Sequence, residues 1–322
     1  MRTFSIVIPT YNGADFIEQA LLSALNQTRK ADEIIISDDN STDETIDICQ
    51  RYKDKIKIYH NSNGPSGFVN GWNIAITYAT SEYISILHQD DLLAPTFLEE
   101  VEKALWIYPK ARHFFVPCNY INEEGVSIQE PNYCDNLIHQ YIGKEYVMAY
   151  QTIGHPHIHR CPGVVTHKDI FKVCSYRAEA GHIADDDFFY RVGQYTDVVG
   201  ILKPLASYRL HQKSETGHLG NNRLIQRLAN DYIFQLKHFS ENKVFDKHAY
   251  QYFVYNAIHF AFNEYIIGVK YNDMDLMTQG IRNLKILKDM NIVYPIKVKL
   301  FILFSWLFGT NIIRLFIGNS KL

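Results

Sequence analysis

Three apolar runs along the chain each end abruptly in polar, turn-forming residues. Phe4-Ser5-Ile6-Val7-Ile8 gives way to Pro9-Thr10-Tyr11-Asn12, and Ile34-Ile35-Ile36 to Ser37-Asp38-Asp39-Asn40-Ser41-Thr42-Asp43. Further on, Glu82-Tyr83-Ile84-Ser85-Ile86-Leu87 runs into His88-Gln89-Asp90-Asp91. Short continuous runs of this kind predict strands buried on both faces, as parallel sheets in α/β proteins require. Between the first two, Asp15 to Gln27 carries Phe16, Ile17, Ala20, Leu21, Ala24 and Leu25 at helical spacing. A further helix is expected from near Pro95. The pattern is a β-α-β unit with polar groups gathered at the carboxyl ends of its strands, the edge where open α/β sheets bind ligands.

The chemistry at those ends is not that of a dinucleotide fingerprint or a P-loop, since neither glycine pattern occurs. A tyrosine ring stacks on a base, and a carboxylate accepts the imide N–H of uracil or thymine. Ser41 followed by Glu44 fits a capping box into the next helix. The adjacent carboxylates of Asp90 and Asp91, at the mouth of a buried strand, suit a hard divalent cation such as Mg²⁺ or Mn²⁺.

In this order and spacing the segments resemble the family-2 glycosyltransferases of the GT-A fold. That family shows strands ending in P-x-Y/F-N and D-D-x-S-x-D, then a G-x-x-x-A-R-N-like helix and a D-x-D-type motif. Here the helix reads Gly67-Phe68-Val69-Asn70-Gly71-Trp72-Asn73, with Trp72 where arginine is usual, and His88 stands at the first aspartate of the D-x-D-type motif. The resemblance covers roughly the first 215 residues. It implies that Pro9, Thr10, Tyr11 and Asn12 line the donor pocket and that Asp39 accepts the base N–H. It further implies that Asp90 and Asn73 contact the donor and that Asp91 holds the metal bridging the diphosphate.

The second half of this region then supplies the acceptor side. Phe114-Phe115-Val116-Pro117 reads as a strand before a Glu123-Glu124-Gly125 turn, and Asn132 to Tyr150 as a loop near the acceptor. His155, His157 and His159 alternate, but Pro156 interrupts them and no Cys or Glu partner stands at ligand spacing. A polar strand face or acceptor contacts account for them better than zinc. Pro162-Gly163-Val164-Val165 resembles the strand before the family's base-bearing helix. That helix is Ala184-Asp185-Asp186-Asp187-Phe188-Phe189-Tyr190-Arg191. Alignment on Arg191 makes Asp185 the general base, with Asp186 in reserve. Acidic residues favour a helix N-terminus, yet three in a row exceed what capping demands, and their repulsion raises one pKa toward that of a useful base. Tyr208-Arg209-Leu210-His211 matches the family's Y-R-x-H element, which puts Arg209 beside phosphate and His211 at the metal. Gln212 to Asn222 reads as a flexible flap over the nucleotide.

Composition narrows the setting. The chain has 322 residues, 21% of them charged, and a formal net charge of −3, so nothing marks it for nucleic acid. Its five scattered cysteines form no C-x-x-C and read as reduced thiols of a cytoplasmic protein. The first strand begins by Phe4, leaving no room for a signal peptide. Residues 1–215 are expected to form the catalytic domain, 216–295 a helical appendage (Leu224 to Phe239, Tyr250 to Val269, Asp273 to Lys288), and 296–322 an amphipathic tail. The tail's apolar core, with Trp306, is shorter than the ~20 residues a spanning helix needs. Lys297, Lys299 and Arg314 flank it, which suits an in-plane helix on the inner face of the membrane. The expectation is an α/β, mostly parallel sheet flanked by helices. Its function would be inverting transfer, assisted by Mg²⁺ or Mn²⁺, from a UDP- or dTDP-sugar to a glycan or lipid-linked acceptor in polysaccharide synthesis. The alternatives are a non-catalytic nucleotide-binding scaffold at the membrane and a nucleotidyltransferase. The latter needs a Gly-rich, basic loop that Thr10-Tyr11-Asn12-Gly13 does not supply.

Overall fold

The computed structural model describes residues 2–129, 137–143, 145, 146, 161–214, 220–239 and 247–304. The chain opens as β1 (Phe4–Thr10), α1 (Ile17–Leu25), β2 (Glu33–Asp38), α2 (Thr45–Gln50), β3 (Lys57–His60), α3 (Phe68–Thr77) and β4 (Tyr83–Ile86). It continues through β5 (Leu92–Leu93), α4 (Phe97–Ile107), β6 (His113–Phe115), β7 (Cys118–Ile121), β8 (Ser127–Gln129) and β9 (Ile138–Tyr141). Next come β10 (Val164–His167), α5 (Lys168–Phe171), a 3-10 turn (Ala178–Ile183), α6 (Ala184–Val192), β11 (Val198–Ile201) and β12 (Ala206–Arg209). Three helices follow: α7 (Gly220–Phe239), α8 (Lys247–Tyr271) and α9 (Met274–Asp289).

The main sheet runs β3-β2-β1-β4-β10-β6-β11-β9. The first four strands are mutually parallel, with Ile8 opposite Ile36 and Val7 opposite Ile86. β10 is antiparallel to both of its neighbours, β11 runs parallel to β6, and β9 closes the edge antiparallel. The polar ends of β1, β2 and β4 therefore share one edge. The continuous apolar runs are explained by burial on both faces: Phe4, Ile6, Val7 and Ile8 are all 0% exposed, and α1 turns Ile17, Ala20, Leu21 and Ala24 onto the same core. A second sheet, β5-β12-β7-β8, packs the segment after the Asp90–Asp91 turn against the strand that ends in Arg209.

The capping box read at Ser41 and Glu44 does not form. Neither residue caps α2; Ser41 Oγ accepts the Asn12 N–H at 2.9 Å, and the Asp43 carboxylate accepts the N–H groups of Thr45 and Ala14, each at 3.0 Å. Local capping gave way to lacing between two loops. The acceptor-side loop read over Asn132 to Tyr150 contains an edge strand, β9. The rest of that stretch from 132 to 136, 144 and 147–150, the histidines at 155, 157 and 159, flap residues 215–219, and the tail from 305 with Trp306 and Arg314, lie outside the described residues.

The chain divides into two compact units, 1–178 with 184–214, and 179–183 with 215–322. The second is helical, with α8 packed against both α7 and α9. Asp273 caps α9 by accepting from the N–H groups of Asp275 and Leu276 at 3.0 Å. Buried between α8 and α9, Glu264 Oε2 accepts from Asn283 Nδ2 at 2.9 Å. The helix at 296–304 turns Val298 inward and sets Phe301 against Phe262 and Tyr265. No described helix is long and apolar enough to cross a membrane.

Candidate active site

The loops at the carboxyl edge are built for fixed geometry. Asn12 and Asn40 take φ of 47° and 71°, the left-handed region that asparagine tolerates and that turns each strand out of the sheet. Asn12 ties the two loops together, its Oδ1 accepting from the Thr42 N–H at 2.8 Å. The Gln89 amide brackets Tyr11, accepting its N–H at 2.9 Å and donating to its carbonyl at 3.1 Å, while the Tyr11 ring stays 43% exposed. Buried Asp38 accepts from Thr10 Oγ1 at 3.3 Å and from the Ser41 N–H at 3.1 Å, with His60 Nδ1 at 2.8 Å. Asp39 Oδ1 accepts from Asn61 Nδ2 at 2.7 Å; its Oδ2 accepts from Ser66 N–H at 2.6 Å and Ser66 Oγ at 2.9 Å. Three of the four lone-pair positions of that carboxylate are used, leaving one on Oδ1.

At the end of β4, His88, Asp90 and Asp91 offer ligand atoms that all lie within 4.8 Å of one another. Asp91 is 1% exposed; its Oδ1 accepts the Arg209 N–H at 2.8 Å, while its buried Oδ2 has no hydrogen-bond partner and lies 3.6 Å from His88 Nδ1. Burial and the neighbouring Asp90 charge push the Asp91 carboxyl up. Burial also works against Asp90, but the His211 imidazole, with Nε2 2.9 Å from Asp90 Oδ2, and His88 hold it below the usual carboxylate range. Burial disfavours the His88 imidazolium, yet the Cys161 sulfur and the Asp91 carboxylate lift it well above the ordinary histidine value. Two hard carboxylates and an imidazole, with one buried oxygen unpartnered, fit a Mg²⁺ or Mn²⁺ ion.

His88 sits in an aromatic setting. The Trp72 indole stacks on it with centroids 4.9 Å apart and planes 22° apart, and meets Phe68 and Tyr176 edge-on. Tyr176 in turn stacks on Phe188 of α6 at 4.3 Å. Asn73 bonds the Tyr176 backbone twice, to its carbonyl at 2.8 Å and its N–H at 3.2 Å. This chain of contacts leads from the acidic cluster to α6, whose first turn carries Asp185, Asp186 and Asp187. Within that turn the three aspartates differ. Asp187 is buried against Arg191, whose Nε lies 2.8 Å away. Asp185 and Asp186 are half-buried, and Asp185 Oδ1 accepts the Asp186 N–H at 2.9 Å. Burial raises the Cys161 thiol, His88 beside it works the other way, and the Asp185 and Asp91 charges add to the rise.

The structure thus gathers Thr10, Tyr11, Asp39, Asp90, Asp91 and His211 at one edge, with Pro9 inside β1 opposite Ser37. It gives three expected donor residues other work. Asn12 laces loops, and Asn73 holds the Tyr176 backbone. Arg209, 1% exposed, spends its guanidinium on the carbonyls of Asp90, Asn122 and Glu123 and on Gln19 Oε1. With these bonds Arg209 ties the Asp90–Asp91 turn to the Asn122–Glu123 turn and to α1. His211 reaches the cluster through Asp90. The residues missed are His88 as a third side chain able to hold a metal, Gln89 as the brace of Tyr11, and Cys161 beside His88. His88 was legible, since histidine at a ligand position of a metal motif is itself a ligand type.

Known proteins agree with this geometry. The family model "Glycosyl transferase family 2" matches residues 5–128. An uncharacterised glycosyltransferase of Rickettsia prowazekii is 28% identical over 216 residues, 66% of this chain and 65% of that protein. The chain thus matches just under two thirds of that relative's length. The Escherichia coli UDP-Glc:alpha-D-GlcNAc-diphosphoundecaprenol beta-1,3-glucosyltransferase WfaP is 36% identical over 128 residues, 40% of this chain and 50% of that one. Among solved structures, Staphylococcus aureus TarS superposes with a TM-score of 0.63 at 13% identity, over 92% of this chain and 50% of that one. Its 1–349 fragment with UDP-GlcNAc gives 0.56 at 13% identity, over 91% and 93%. At such identity the superposition shows the fold, that of the GT-A glycosyltransferases.

Proposed function

This chain belongs to the family-2 glycosyltransferases through its domain at residues 5–128, and we propose that it moves a sugar from a UDP- or dTDP-sugar to a hydroxyl of a glycan or lipid-linked acceptor, with inversion, in cell-surface polysaccharide synthesis. The observation that carries the reading is the His88–Asp90–Asp91 cluster at the carboxyl edge, where β1, β2 and β4 also end. The exposed Tyr11 ring, braced by Gln89, stacks on the base, and the remaining lone pair of Asp39 Oδ1 accepts the uracil or thymine imide N–H. His88, Asp90 and Asp91 would hold Mg²⁺ or Mn²⁺, which supplies charge neutralisation at the departing diphosphate. Asp185 takes the proton of the attacking acceptor hydroxyl, the role an inverting transfer requires of one carboxylate. Asp186, next to it in the first turn of α6 and likewise half-buried, is the reserve for that role. Trp72 supplies an apolar wall where the family commonly has a cation.

The same reading includes a peripheral position on the inner face of the membrane. Ile296, Leu300 and Leu303, 76%, 47% and 49% exposed, fall on one face of the helix at 296–304, opposite the inward Val298. Exposed Lys297 and Lys299 flank that face, as suits anionic headgroups.

Thermal unfolding with UDP, dTDP, GDP and CMP, each with and without Mn²⁺, tests the donor site. A nucleotide at one hundred times its Kd stabilises by about 2.7 kcal/mol. The expected result is a Mn²⁺-dependent shift confined to UDP or dTDP, abolished in Asp91→Ala and retained in Asp185→Asn, which would lose transfer alone. No shift with any nucleotide would overturn the reading and leave a non-catalytic module.

A further inference from the structure

A second concave site lies at the opposite edge of the main sheet. Arg2, Tyr83, Pro109, Lys110, Arg112 and His167 line a cavity of about 250 Å³, roughly eight times the ~30 Å³ that one water occupies in the liquid. Its place follows from the register: Tyr83 begins β4 opposite Phe4, and His167 ends the antiparallel β10 opposite Tyr83. The donor residues stand at the far ends of the same strands. Nothing in the proposed transfer uses these side chains.

We propose that this cavity binds a phosphate-class anion. Three cationic side chains, Arg2, Lys110 and Arg112, line it. Among the described residues two carboxylates answer them. Glu82 pairs with Arg2 at 2.9 Å. Asp169 is already engaged by Lys172 at 2.7 Å and stands 3.7 Å from Arg112, too far for a hydrogen bond. Lys110 forms no salt bridge among the described residues. The cavity therefore holds more positive charge and more N–H donors than the protein itself uses.

His167 adds a directional donor. Its Nδ1 accepts the Asp169 N–H at 3.2 Å, which places the proton of the neutral ring on Nε2. Its side chain is 13% exposed, and burial holds its pKa below the ordinary histidine value, so the neutral donor form prevails at pH 7. The ring is fixed edge-on against buried Tyr83, with centroids 5.0 Å apart. Guanidinium forks at Arg2 and Arg112, a point charge at Lys110 and one oriented imidazole N–H offer enough donors to engage the several acceptor oxygens of a phosphate. The ligand's phosphate group has two sources, a soluble phosphate or the headgroup of an anionic phospholipid.

The test is titration of the full-length protein with inorganic phosphate against chloride at matched ionic strength, read by thermal unfolding and calorimetry, with UDP and Mn²⁺ saturating so that the donor site is filled. Phosphate is expected to raise the midpoint where chloride does not. Lys110→Gln removes a side chain without a salt-bridge partner, so the fold should be unchanged and phosphate affinity about ten-fold weaker, one charge-assisted contact's worth. Lys110→Gln with Arg112→Gln should abolish the effect while leaving the UDP shift intact. Flotation with phosphatidylglycerol vesicles against phosphatidylcholine assigns the source, in a Leu300→Asp, Leu303→Asp background that removes the apolar face of the helix at 296–304. Flotation lost on adding the Lys110 and Arg112 double substitution names a headgroup, and flotation that this double substitution leaves unchanged names soluble phosphate. Equal shifts with phosphate and chloride, or a phosphate response that survives the double substitution, would overturn the proposal.

Discussion

Arg209→Met separates a scaffolding arginine from a phosphate-binding one. The guanidinium donates from Nε to Asp90 O at 2.7 Å, from Nη1 to Asn122 O at 3.0 Å and Glu123 O at 2.7 Å, and from Nη2 to Gln19 Oε1 at 2.8 Å. Its central carbon lies 4.9 Å over the Phe16 ring. Methionine keeps the apolar stem and strands four acceptors. Hydrogen bonds to charged groups are each worth about 1.5–3 kcal/mol and do not add, and removing the buried charge recovers its desolvation cost. The net loss expected is about 3–5 kcal/mol, a fall in midpoint on the order of 10 °C for a unit of this size. Lysine should not rescue it, because one ammonium cannot reproduce the fork that reaches three carbonyls. Urea denaturation measures the loss and calorimetry with UDP measures the site. A variant within about 1 kcal/mol of wild type that binds nucleotide at least ten-fold more weakly would refute the scaffold account and restore the arginine to the diphosphate.

Two further predictions concern pH. Burial lifts the Glu264 carboxyl to about 7, so the folded helical unit holds a proton that the unfolded chain releases near 4.5, and its stability falls as pH rises through that window by about 3 kcal/mol. Glu264→Gln should flatten the dependence and stabilise the unit at pH 8; an unchanged pH profile by far-UV ellipticity during urea unfolding would count against it. Glu33 behaves oppositely. Burial raises its pKa, but hydrogen bonds from Lys57, Ser5, Thr80 and Ser81 outweigh that and bring it to about 2. The stability it gives is complete above about pH 4.5 and lost as pH falls toward 2, roughly 2 kcal/mol after allowing for screening on the exposed Lys57 side. Acid titration of Glu33→Gln against wild type should show that difference vanish at low pH, and a constant offset would contradict it.

What was legible in the sequence is what local burial dictates. β1, β2 and β4 announced themselves because strands covered on both faces cannot alternate, and α1 because its stripe meets that sheet. The long periodic patterns of α7, α8 and α9 were plain for the same reason. What escaped depends on distant pairing. β5 is two residues long and exists only because Ala206 and Ser207 pair with it. Arg209 read as a phosphate ligand because no local signal reveals that the Asp90–Asp91 turn, Asn122 and Gln19 close around it. The capping box failed likewise: Ser41 had a better partner 29 positions earlier.

The departures at positions 72 and 88 bear on whether the site works. A module that had lost catalysis would be free to shed Asp91, whose carboxylate lies beside Asp90 with an unpartnered oxygen and 1% exposure. Burying such a group uncompensated costs several kcal/mol, which drift would relieve through any small apolar side chain. Here the surroundings reinforce it. Arg209 fixes its backbone partner and Oδ1, His211 holds Asp90, and Trp72 stacks on His88 to keep the imidazole facing Asp91. Replacing an arginine by tryptophan removes a cation from the diphosphate side, and replacing an aspartate by histidine removes an anion from the same place. The two exchanged side chains meet in one stack. Burial and these contacts hold the Asp91 carboxylate in place beside His88 and Asp90, the arrangement the proposed metal site requires.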